Sequence, residues 1–506
     1  MGKDLAIGID LGTSNCALAT TDGDGKKGLQ IAQTDGANRV AAMSTLASSI
    51  FIPQTGQFEE GALQLPWGDS NERHIVGAFA RQAGVDSPQR LVHSAKSWLC
   101  YRGADPAKPI LPWESEADVE KMSPVMASSA FLGHLHSALG HYLRENGSEF
   151  DKERAQVIIT VPASFDEAAR NLTLHAAVNA GWGSEPILLE EPQAAFYSWI
   201  NNHADSWRKL VRAGDIVLVC DVGGGTTDFS LIAVVDRDGD LELERVSVGK
   251  HILLGGDNMD LALAFTLRQQ LEDEKKPITD YQFQSLVHHC RVAKEQLFEN
   301  PELDEVKVAV ASRGSGLMKG SVSTKLTRGL LNGVVCDGFF ARTGAGELPQ
   351  TAEATGLQEF GLPYATDPVI TKHLAGFLTR SLANIRASES LSALFSDKPD
   401  GFSSEIIIPD AVLFNGGVFK AEPLRERMLE ILRQWADGGD VRELSGTDPD
   451  QAVARGASQY GWQRISGKGV RIRAGVARSY YIGLAASMPA IPGYRPPVKA
   501  VCIAPQ

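Results

Sequence analysis

The chain carries, at residues 217–228, the sequence Val-Leu-Val-Cys-Asp-Val-Gly-Gly-Gly-Thr-Thr-Asp, in which an apolar run of strand type leads to Asp221 and three glycines. Glycines allow a backbone to turn sharply and bring its N–H groups against an anion. The two threonine hydroxyls can donate to phosphate oxygens, and the carboxylates of Asp221 and Asp228 can hold a hydrated Mg²⁺ or orient an attacking water. The segment therefore predicts a phosphate-binding loop.

The beginning of the chain repeats this pattern. Residues 6–15 read Ala-Ile-Gly-Ile-Asp-Leu-Gly-Thr-Ser-Asn, so a strand again leads to an Asp, a Gly and hydroxyl side chains. Either loop alone could be a tight hairpin turn, since such turns favour Asp and Gly. Two loops of one design, far apart in the sequence, instead indicate two related lobes that face a single nucleotide.

Composition and charge exclude several classes of protein. A chain of 506 residues should divide into several compact units. A net charge of -13 without a basic run argues against a nucleic-acid groove, and no apolar stretch is long enough to span a bilayer. Six scattered cysteines without a CxxC pair favour free thiols in a reducing, cytoplasmic setting. His134, His136 and His141, like His288 and His289, lack ligands at metal spacing and are interpreted as helix-surface residues.

Strand-like and helix-like patterns alternate along the chain, so the sequence predicts an α/β protein with mixed sheets. The strand-like runs are 5–9, 16–20, 156–161, 187–189, 216–220, 229–235 and 411–414. The helical patterns include 164–180, 192–203, 257–273, 282–299, 372–392, 423–436 and 450–464. Segments 101–125 and 341–368 are rich in breaking residues and predict surface loops or insertions.

Two further glycine pairs stand where a strand meets a turn or a helix begins. Gly255-Gly256 precedes an apolar-periodic helix, and Gly416-Gly417 follows the run 411–414. Each would place backbone N–H groups or a helix N-terminus near a phosphate or nucleoside. A Gly-Gly pair by itself usually marks only a turn, so the two pairs support the phosphate loops without adding a site of their own.

The order of these segments resembles the ATPase domain of the heat shock protein 70 (Hsp70, DnaK-type) chaperones, within the actin and sugar-kinase superfamily. The matching segments occur in family order over about residues 5–465 and lie at 9–14, 95–96, 160–165, 189–195, 221–228, 254–257, 416–417 and 450–457. The resemblance implies an actin-like ATPase fold, with two lobes of mixed β-sheets and flanking helices around a nucleotide cleft.

The resemblance also implies a domain organisation. Lobe I would comprise residues 1–212 with a subdomain at about 39–125, and lobe II residues 213–465 with a subdomain at about 251–325. The last helix, 450–465, would return to lobe I. Residues 466–506 would form a linker and the start of a C-terminal β module, which we expect to be truncated.

The matching motifs imply roles for individual residues. Asp10 and Asp221 would hold Mg²⁺ through waters, Lys96 would reach the γ-phosphate as a point charge, and Glu191 would position water or the metal. Thr226 completes the expected catalytic set, and Asp228 would assist. The other expected nucleotide-binding residues are Gly12, Thr13, Ser14, Gly223, Gly224, Gly225, Thr227, Gly255, Gly256, Lys294, Gly416, Gly417 and Asp450. Pro162 and Arg170 resemble the family's relay between the nucleotide state and the second domain.

The adenosine clamp departs from the family pattern. Arg291 stands where the family has a Glu, Glu295 where it has an Arg that stacks on adenine, and Phe298 where it has a Ser. Residues 418–420 read Val-Phe-Lys where the family has Ser-Thr-Arg. We therefore expect intact phosphate chemistry but altered base recognition, with stacking supplied by Phe298, Phe419 or Lys420.

The sequence thus predicts Mg-dependent binding and slow hydrolysis of ATP, driving lobe closure in a divergent Hsp70-like chaperone ATPase. ATP or ADP and Mg²⁺ are the expected cofactors. The expected partners are nucleotide, unfolded polypeptide clients and co-chaperones, with neither nucleic acid nor membrane. Two alternatives stay open, a cytomotive actin-like filament protein and a sugar or metabolite kinase. A kinase would need a carboxylate base beside an open acceptor pocket, for which the sequence alone offers no candidate.

Overall fold

The structure is a computed structural model, and it describes residues 3–23, 25–68, 73–101, 103–113, 115, 118–237, 240–311, 321–350, 362, 364–387, 392, 405–469, 472–474, 480–484 and 499–504. The strands are β1 Leu5–Leu11, β2 Asn15–Asp22, β3 Gly25–Gly28, β4 Ile31–Gly36, β5 Arg39–Met43, β6 Leu46–Ala47, β7 Ile50–Phe51, β8 Ile75–Val76, β9 Leu91–Val92, β10 Ala155–Val161, β11 Ile187–Glu190, β12 Ile216–Val222, β13 Thr227–Arg237, β14 Asp240–Val248, β15 Glu305–Ala311, β16 Ser321–Thr327, β17 Ala411–Asn415, β18 Arg442–Glu443, β19 Ile472–Ala474, β20 Tyr480–Leu484 and β21 Lys499–Ala504. The α-helices are α1 Ala78–Asp86, α2 Ala95–Leu99, α3 Pro124–Glu145, α4 Glu167–Asn179, α5 Glu191–His203, α6 Trp207–Leu210, α7 Gly256–Asp273, α8 Asp280–Glu299, α9 Arg328–Leu331, α10 Ile370–Ala387, α11 Glu422–Trp435 and α12 Ala452–Ser466.

Two large mixed sheets carry the fold, and they repeat one local arrangement. The first sheet runs β11-β10-β1-β2-β3, with β6 paired to β2, and the second runs β18-β17-β12-β13-β14-β19. In the first sheet β1 lies parallel to β10 and antiparallel to β2, and in the second β12 lies parallel to β17 and antiparallel to β13. Asp10 and Asp221 therefore sit at equivalent places, near the carboxyl ends of two equivalent strands. The predicted mixed α/β fold is confirmed.

Helix α12 joins the end of the second lobe's sequence to the sheet of the first. An added Cβ at Gly8 of β1 would lie 2.1 Å from the carbonyl oxygen of Ala454, and one at Gly456 would lie 1.7 Å from that of Ala194 in α5. The helix is thus in direct backbone contact with a strand on one side and with another helix on the other. Such close approach is possible only where a residue has no side chain.

Most predicted helices begin and end within a few residues of their expected bounds, because their caps are encoded locally. The pattern 164–180 begins at Glu167, since the Asp166 side chain accepts a hydrogen bond from the Ala169 N–H and caps α4. The pattern 450–464 corresponds to α12, two residues later. The pattern 372–392 corresponds to α10, while its residues 388–391 lie outside the described residues.

The predicted loop segments agree only in part with the structure. Within 101–125 the backbones of Leu111 and Met122 pair with each other, and both side chains are buried, so this segment is packed rather than a plain surface excursion. In the segment 341–368, the described residues 341–350 and 364–368 form neither helix nor strand, and 351–361 lie outside the described residues.

The surface interpretation of the histidines on α3 is wrong for His134. Its Nε2 lies 2.8 Å from the carbonyl oxygen of Ala32, and the side chain is buried. Burial lowers the pKa of His134 to about 4, so the ring is neutral. Helix α3, which presents this histidine to the core of the first lobe, is among the elements that the sequence analysis did not identify.

The predicted linker contributes to the second sheet. Residues 472–474 form β19 and pair in parallel with β14, while β20 and β21 form a separate antiparallel pair. Residues 475–479, 485–498, 505 and 506 lie outside the described residues, so the expected β module stays a prediction.

None of the described helices is long and apolar enough to cross a membrane. The five cysteines described at side-chain level are free thiols.

Candidate functional site

A cleft of about 360 Å³ is lined by residues that follow β1 and by residues that follow β12. The helices α2, α5, α7 and α8 also contribute side chains to its lining. The predicted site residues that line it are Asp10, Gly12, Thr13, Ser14, Lys96, Glu191, Asp221, Gly223, Gly224, Thr226, Gly256, Lys294, Gly416, Gly417 and Asp450. Positions more than four hundred residues apart in the sequence therefore meet in one cavity.

The two glycine-rich loops face each other in direct contact. A Cβ added to Gly224 would lie 1.8 Å from the Ser14 hydroxyl oxygen, and one added to Gly225 would lie 2.9 Å from a methyl carbon of Thr13. A third turn approaches from the end of β17, where Gly416 has a φ of +87° and packs against the carbonyl of Val222. These contacts bring the N–H groups and hydroxyls of both loops to the same space.

Three predicted residues support the loops rather than line the cleft. Thr227 is fully buried and its hydroxyl donates to the carbonyl of Leu254 at 2.8 Å. Thr226, the loop residue just before β13, lines the cleft, whereas Thr227 does not. Gly255 lies with its Cα against the carbonyls of Gly223 and Gly224, where an added Cβ would be 2.6 Å from each oxygen. Gly225 packs against the first loop, as described above.

A buried ion pair lies at the centre of the cleft. Lys96 of α2 contacts Glu191, the first residue of α5, and both side chains are buried. Burial would lower the pKa of Lys96, but the carboxylates of Glu191 and Asp10 outweigh it and raise that pKa. The Lys96 ammonium is therefore protonated and fixed in place.

The carboxylates near Lys96 are buried close together, which disfavours their charged forms. Burial raises the pKa of Asp10, and it raises the pKa of Asp221 to about 7, against a hydrogen bond that Asn415 Nδ2 donates to Asp221 at 2.7 Å. Thr160 donates a hydrogen bond of 3.2 Å to Asp10. Three carboxylates, those of Asp10, Glu191 and Asp221, thus share one ammonium group, and the excess negative charge suits a cation. Within the described residues, no three His, Cys, Asp or Glu side chains are arranged to hold a metal ion directly.

Asp228 is engaged outside the cleft. It accepts a hydrogen bond of 2.7 Å from Ser164 and lies 3.2 Å from His251 Nδ1. Burial would lower the pKa of His251, but the Asp228 carboxylate raises it to about 10, so the imidazole is charged. Asp228 therefore does not line the site that it was expected to assist, and it connects residue 164 of the first lobe with the second.

A second connection between the lobes centres on Glu190. Arg170 Nη2 lies 3.0 Å from one Glu190 oxygen, and Arg245 of β14 contacts the other. Pro162, expected to share a relay role with Arg170, lies in the turn after β10, where the Phe165 N–H donates to its carbonyl at 3.1 Å. Sequence reasoning missed Arg245, because nothing local to β14 indicates a partner in the other lobe.

The altered clamp lines the cleft, but one expected residue does not. Arg291 lies 3.3 Å from Glu295 and 3.6 Å from Asp257, and Phe298 also lines the cleft. Phe419 does not line it, because its ring is buried and packs 4.6 Å from that of Phe414. Of the three candidates for stacking on a base, Phe298 and Lys420 line the cleft and Phe419 does not.

Two lysines of the clamp region have acidic partners. Lys294, in register for a ribose, lies 2.7 Å from Asp260, and Lys420 lies 2.6 Å from Asp450.

Sequence reasoning also missed Arg81, whose guanidinium donates to the Ser14 carbonyl and, at 3.0 Å, to Asn15. Arg81 comes from α1, and these hydrogen bonds hold the first loop in place.

Comparison with known proteins shows which protein family this chain matches. A family model described as Hsp70 protein matches residues 6–347, which include both glycine-rich loops, Lys96 and Glu191. Chaperone protein DnaK of Stenotrophomonas maltophilia (strain R551-3) is 26% identical over 346 residues, covering 66% of this chain and 48% of that protein. The chain thus aligns with about half the length of this curated relative.

Proposed function

This chain belongs to the Hsp70 family, and from that premise we propose that it binds ATP with Mg²⁺ in the cleft, hydrolyses it slowly and couples hydrolysis to closure of its lobes. The observation that carries the proposal is the contact between the two glycine-rich loops, Ser14 against Gly224, beside the buried Lys96–Glu191 pair. This arrangement offers converging hydrogen-bond donors and one fixed cation, which is what a polyphosphate requires.

The charge of the cleft supports a divalent metal ion. Asp10, Glu191 and Asp221 outnumber Lys96, and burial raises the pKa of Asp10 and Asp221. A cation would relieve this repulsion and keep the carboxylates ionised at neutral pH. Asp10 and Asp221 would hold Mg²⁺ through waters, and the bound ion would offset charge on the phosphate oxygens.

The residues of the chain would act by positioning and electrostatics. Thr13 and Thr226 would donate to phosphate oxygens, and Lys96 would attract the γ-phosphate as a point charge. A carboxylate at Asp10 or Glu191 would orient the attacking water. Charge that develops on the transferred group would then meet preformed donors, so no covalent intermediate is needed.

Coupling to a chaperone cycle is the physiological part of the proposal. Glu190 is contacted by Arg170 from the first lobe and Arg245 from the second, so a change in lobe angle would alter this buried cluster. We propose unfolded polypeptides as clients and co-chaperones as regulators, by analogy with the DnaK relative, and a cytoplasmic location. A filament protein and a kinase remain the alternatives.

The proposal predicts that Asp10→Asn and Thr226→Ala each slow ATP hydrolysis by roughly tenfold or more, which corresponds to about 1.4 kcal/mol of transition-state stabilisation. Release of inorganic phosphate, measured without an added acceptor, tests this. Asp273→Asn, on the exposed side of α7, is the matched control and should hydrolyse ATP at the parental rate. Parental rates in both site variants would contradict the assignment.

Two readouts separate the alternatives. Phosphate release without an acceptor identifies an ATPase, whereas a kinase would need an added hydroxyl compound. Light scattering that rises on addition of nucleotide would indicate a filament.

A further inference from the structure

A second cavity, of about 100 Å³, lies beside the cleft and between the two small subdomains. Subdomain 39–125 contributes Ser94 and Trp98, and subdomain 251–325 contributes Asp257, Gln284 and His288. The two cavities share Thr13, Ser14, Arg81, Asp257, Asp260 and Arg291. The residues that line only this second cavity take no part in the proposed hydrolysis.

The subdomains meet above this cavity. The Tyr281 hydroxyl of α8 donates to the carbonyl of Asp86 at the end of α1. Ser94 Oγ also lies 3.4 Å from Asp257 Oδ2, so the cavity walls touch at a second place. A molecule bound here would contact both subdomains at once.

The charged groups of the cavity are already paired. Arg291 lies 3.6 Å from Asp257 and 3.3 Å from Glu295, and Arg81 donates to the first loop. Burial, together with smaller contributions from His93 and the nearby arginines, lowers the pKa of His288 to about 3, so this ring is neutral. Burial likewise lowers the pKa of His93. These pairings favour an uncharged ligand over an anion.

Uncharged polar groups point to a ligand with hydroxyls. Gln284 Oε1 is a buried atom that receives no hydrogen bond from any of the residues described. A buried amide oxygen without a donor costs free energy unless a bound molecule supplies one. Ser94 is buried, and its hydroxyl lies 3.0 Å from His93 Nδ1. Its φ of 54° is uncommon outside glycine, and its hydroxyl lies 3.4 Å from Asp257 Oδ2 on the cavity wall.

One wall is a flat apolar surface. The Trp98 indole is buried and stacks on Trp113 with a centroid separation of 4.8 Å and an interplanar angle of 26°. Leu91 and Val92 lie on the same cavity. Carbon-bound hydrogens of a ligand can pack on such a surface while its hydroxyls reach the opposite, polar side.

We propose that this cavity is a binding site for a small uncharged polyol, of the size of glycerol to a monosaccharide or cyclitol. Its hydroxyls would form hydrogen bonds with Ser94, Gln284 and Asp257, and its carbon skeleton would pack on Trp98. The volume holds several water molecules and therefore accommodates a compact molecule of this class. Binding would hold the two subdomains together, and it does not depend on whether the neighbouring cleft hydrolyses ATP.

The test is titration of the nucleotide-free protein with glycerol, myo-inositol and D-glucose, followed by tryptophan fluorescence and by calorimetry. We expect saturable binding of at least one of them. Saturation distinguishes binding at this site from the nonspecific stabilisation that polyols cause, because nonspecific stabilisation does not saturate. Gln284→Leu and Ser94→Ala should each weaken the affinity by about tenfold, because each removes a hydrogen-bonding partner. The control Gln269→Leu, exposed on α7, should bind as the parent does.

Three results would overturn the proposal. One is the lack of a saturable response to any of the three polyols. Another is parental affinity in both Gln284→Leu and Ser94→Ala, with circular dichroism showing that both are folded. The third is that inorganic phosphate or indole displaces the bound polyol at lower concentration, which would make the cavity a site for anions or aromatic compounds.

Discussion

At the scale of single residues, His251 illustrates how a buried partner changes the charge of a side chain. Burial would lower its pKa, but Asp228 raises it from 6.5 to about 10, and His251 in turn helps to lower the pKa of Asp228. A raised pKa in the folded state means that the contribution to stability is complete below pH 6.5 and is lost as the pH rises through about 10. We therefore predict that the melting temperature falls between pH 8 and 10.5, and that His251→Gln removes much of this fall.

Thermal unfolding of parent and variant across this pH range measures the effect. His175→Gln, exposed on α4, is the matched control and should keep the parental pH profile. Identical profiles for parent and His251→Gln would contradict the charge assigned to His251.

The residues of the site differ in how far the sequence can predict them. Asp10, Asp221 and Lys96 belong to short motifs, and a motif is local. His251, Arg81 and Arg245 gain their roles from partners in distant segments, and Ser164 meets Asp228 across 64 positions. The sequence around one residue does not indicate a partner that is distant in the chain, so such a pair is identified only from the folded structure. Phe419 shows the converse, since this aromatic residue of an expected binding motif lies in the short 3-10 turn Gly417–Lys420 and its side chain is buried in the core.

At the scale of elements, helix α12 depends on glycine contacts for its position. A Cβ at Gly456 would lie 1.7 Å from the Ala194 carbonyl oxygen and 3.0 Å from the Ser198 nitrogen, both backbone atoms of α5. Since backbone cannot yield as a flexible side chain can, we predict that Gly456→Ala destabilises the fold by about 1–3 kcal/mol.

The matched control lies on α3, where Gly133 has no atom within 4 Å of an added Cβ. Gly133→Ala should stabilise the protein by roughly 0.5–1 kcal/mol, because alanine favours the helix over glycine. Melting temperatures of the two variants should therefore shift in opposite directions. A Gly456→Ala variant as stable as the parent would mean that α12 and α5 are further apart than described.

Element positions were predictable where capping and periodicity are local, as at Asp166 before α4. They were not predictable where several short strands build a subdomain. The sheet β8-β7-β9 consists of strands of two residues each, and so short a strand shows no alternation. The pairing of β19 with β14 likewise depends on a neighbour more than two hundred residues away.

At the scale of the whole molecule, the lobes are joined at both ends of the cleft. At the base, Ser164 and Arg170 of the first lobe contact Asp228 and, through Glu190, Arg245 of the second. At the top, Tyr281 and Asp86 join the two small subdomains. The cleft is lined both by Arg81 of α1 and by Arg291 of α8, so we expect release of the proposed nucleotide to require the contact between α1 and α8 to open.

The upper connection gives the last prediction, which is based on the proposed function. Tyr281→Phe removes a single hydroxyl and with it the hydrogen bond to Asp86. A hydrogen bond contributes about 1 kcal/mol, so release of ADP should accelerate by about fivefold. Single-turnover hydrolysis should be unchanged, because Tyr281 does not line the cleft. Stopped-flow displacement of a fluorescent ADP measures release, and Tyr142→Phe on α3 is the matched control, expected to release ADP at the parental rate. Unchanged release in Tyr281→Phe would show that this contact does not hold the cleft closed, and the barrier to escape would then lie in the loops themselves.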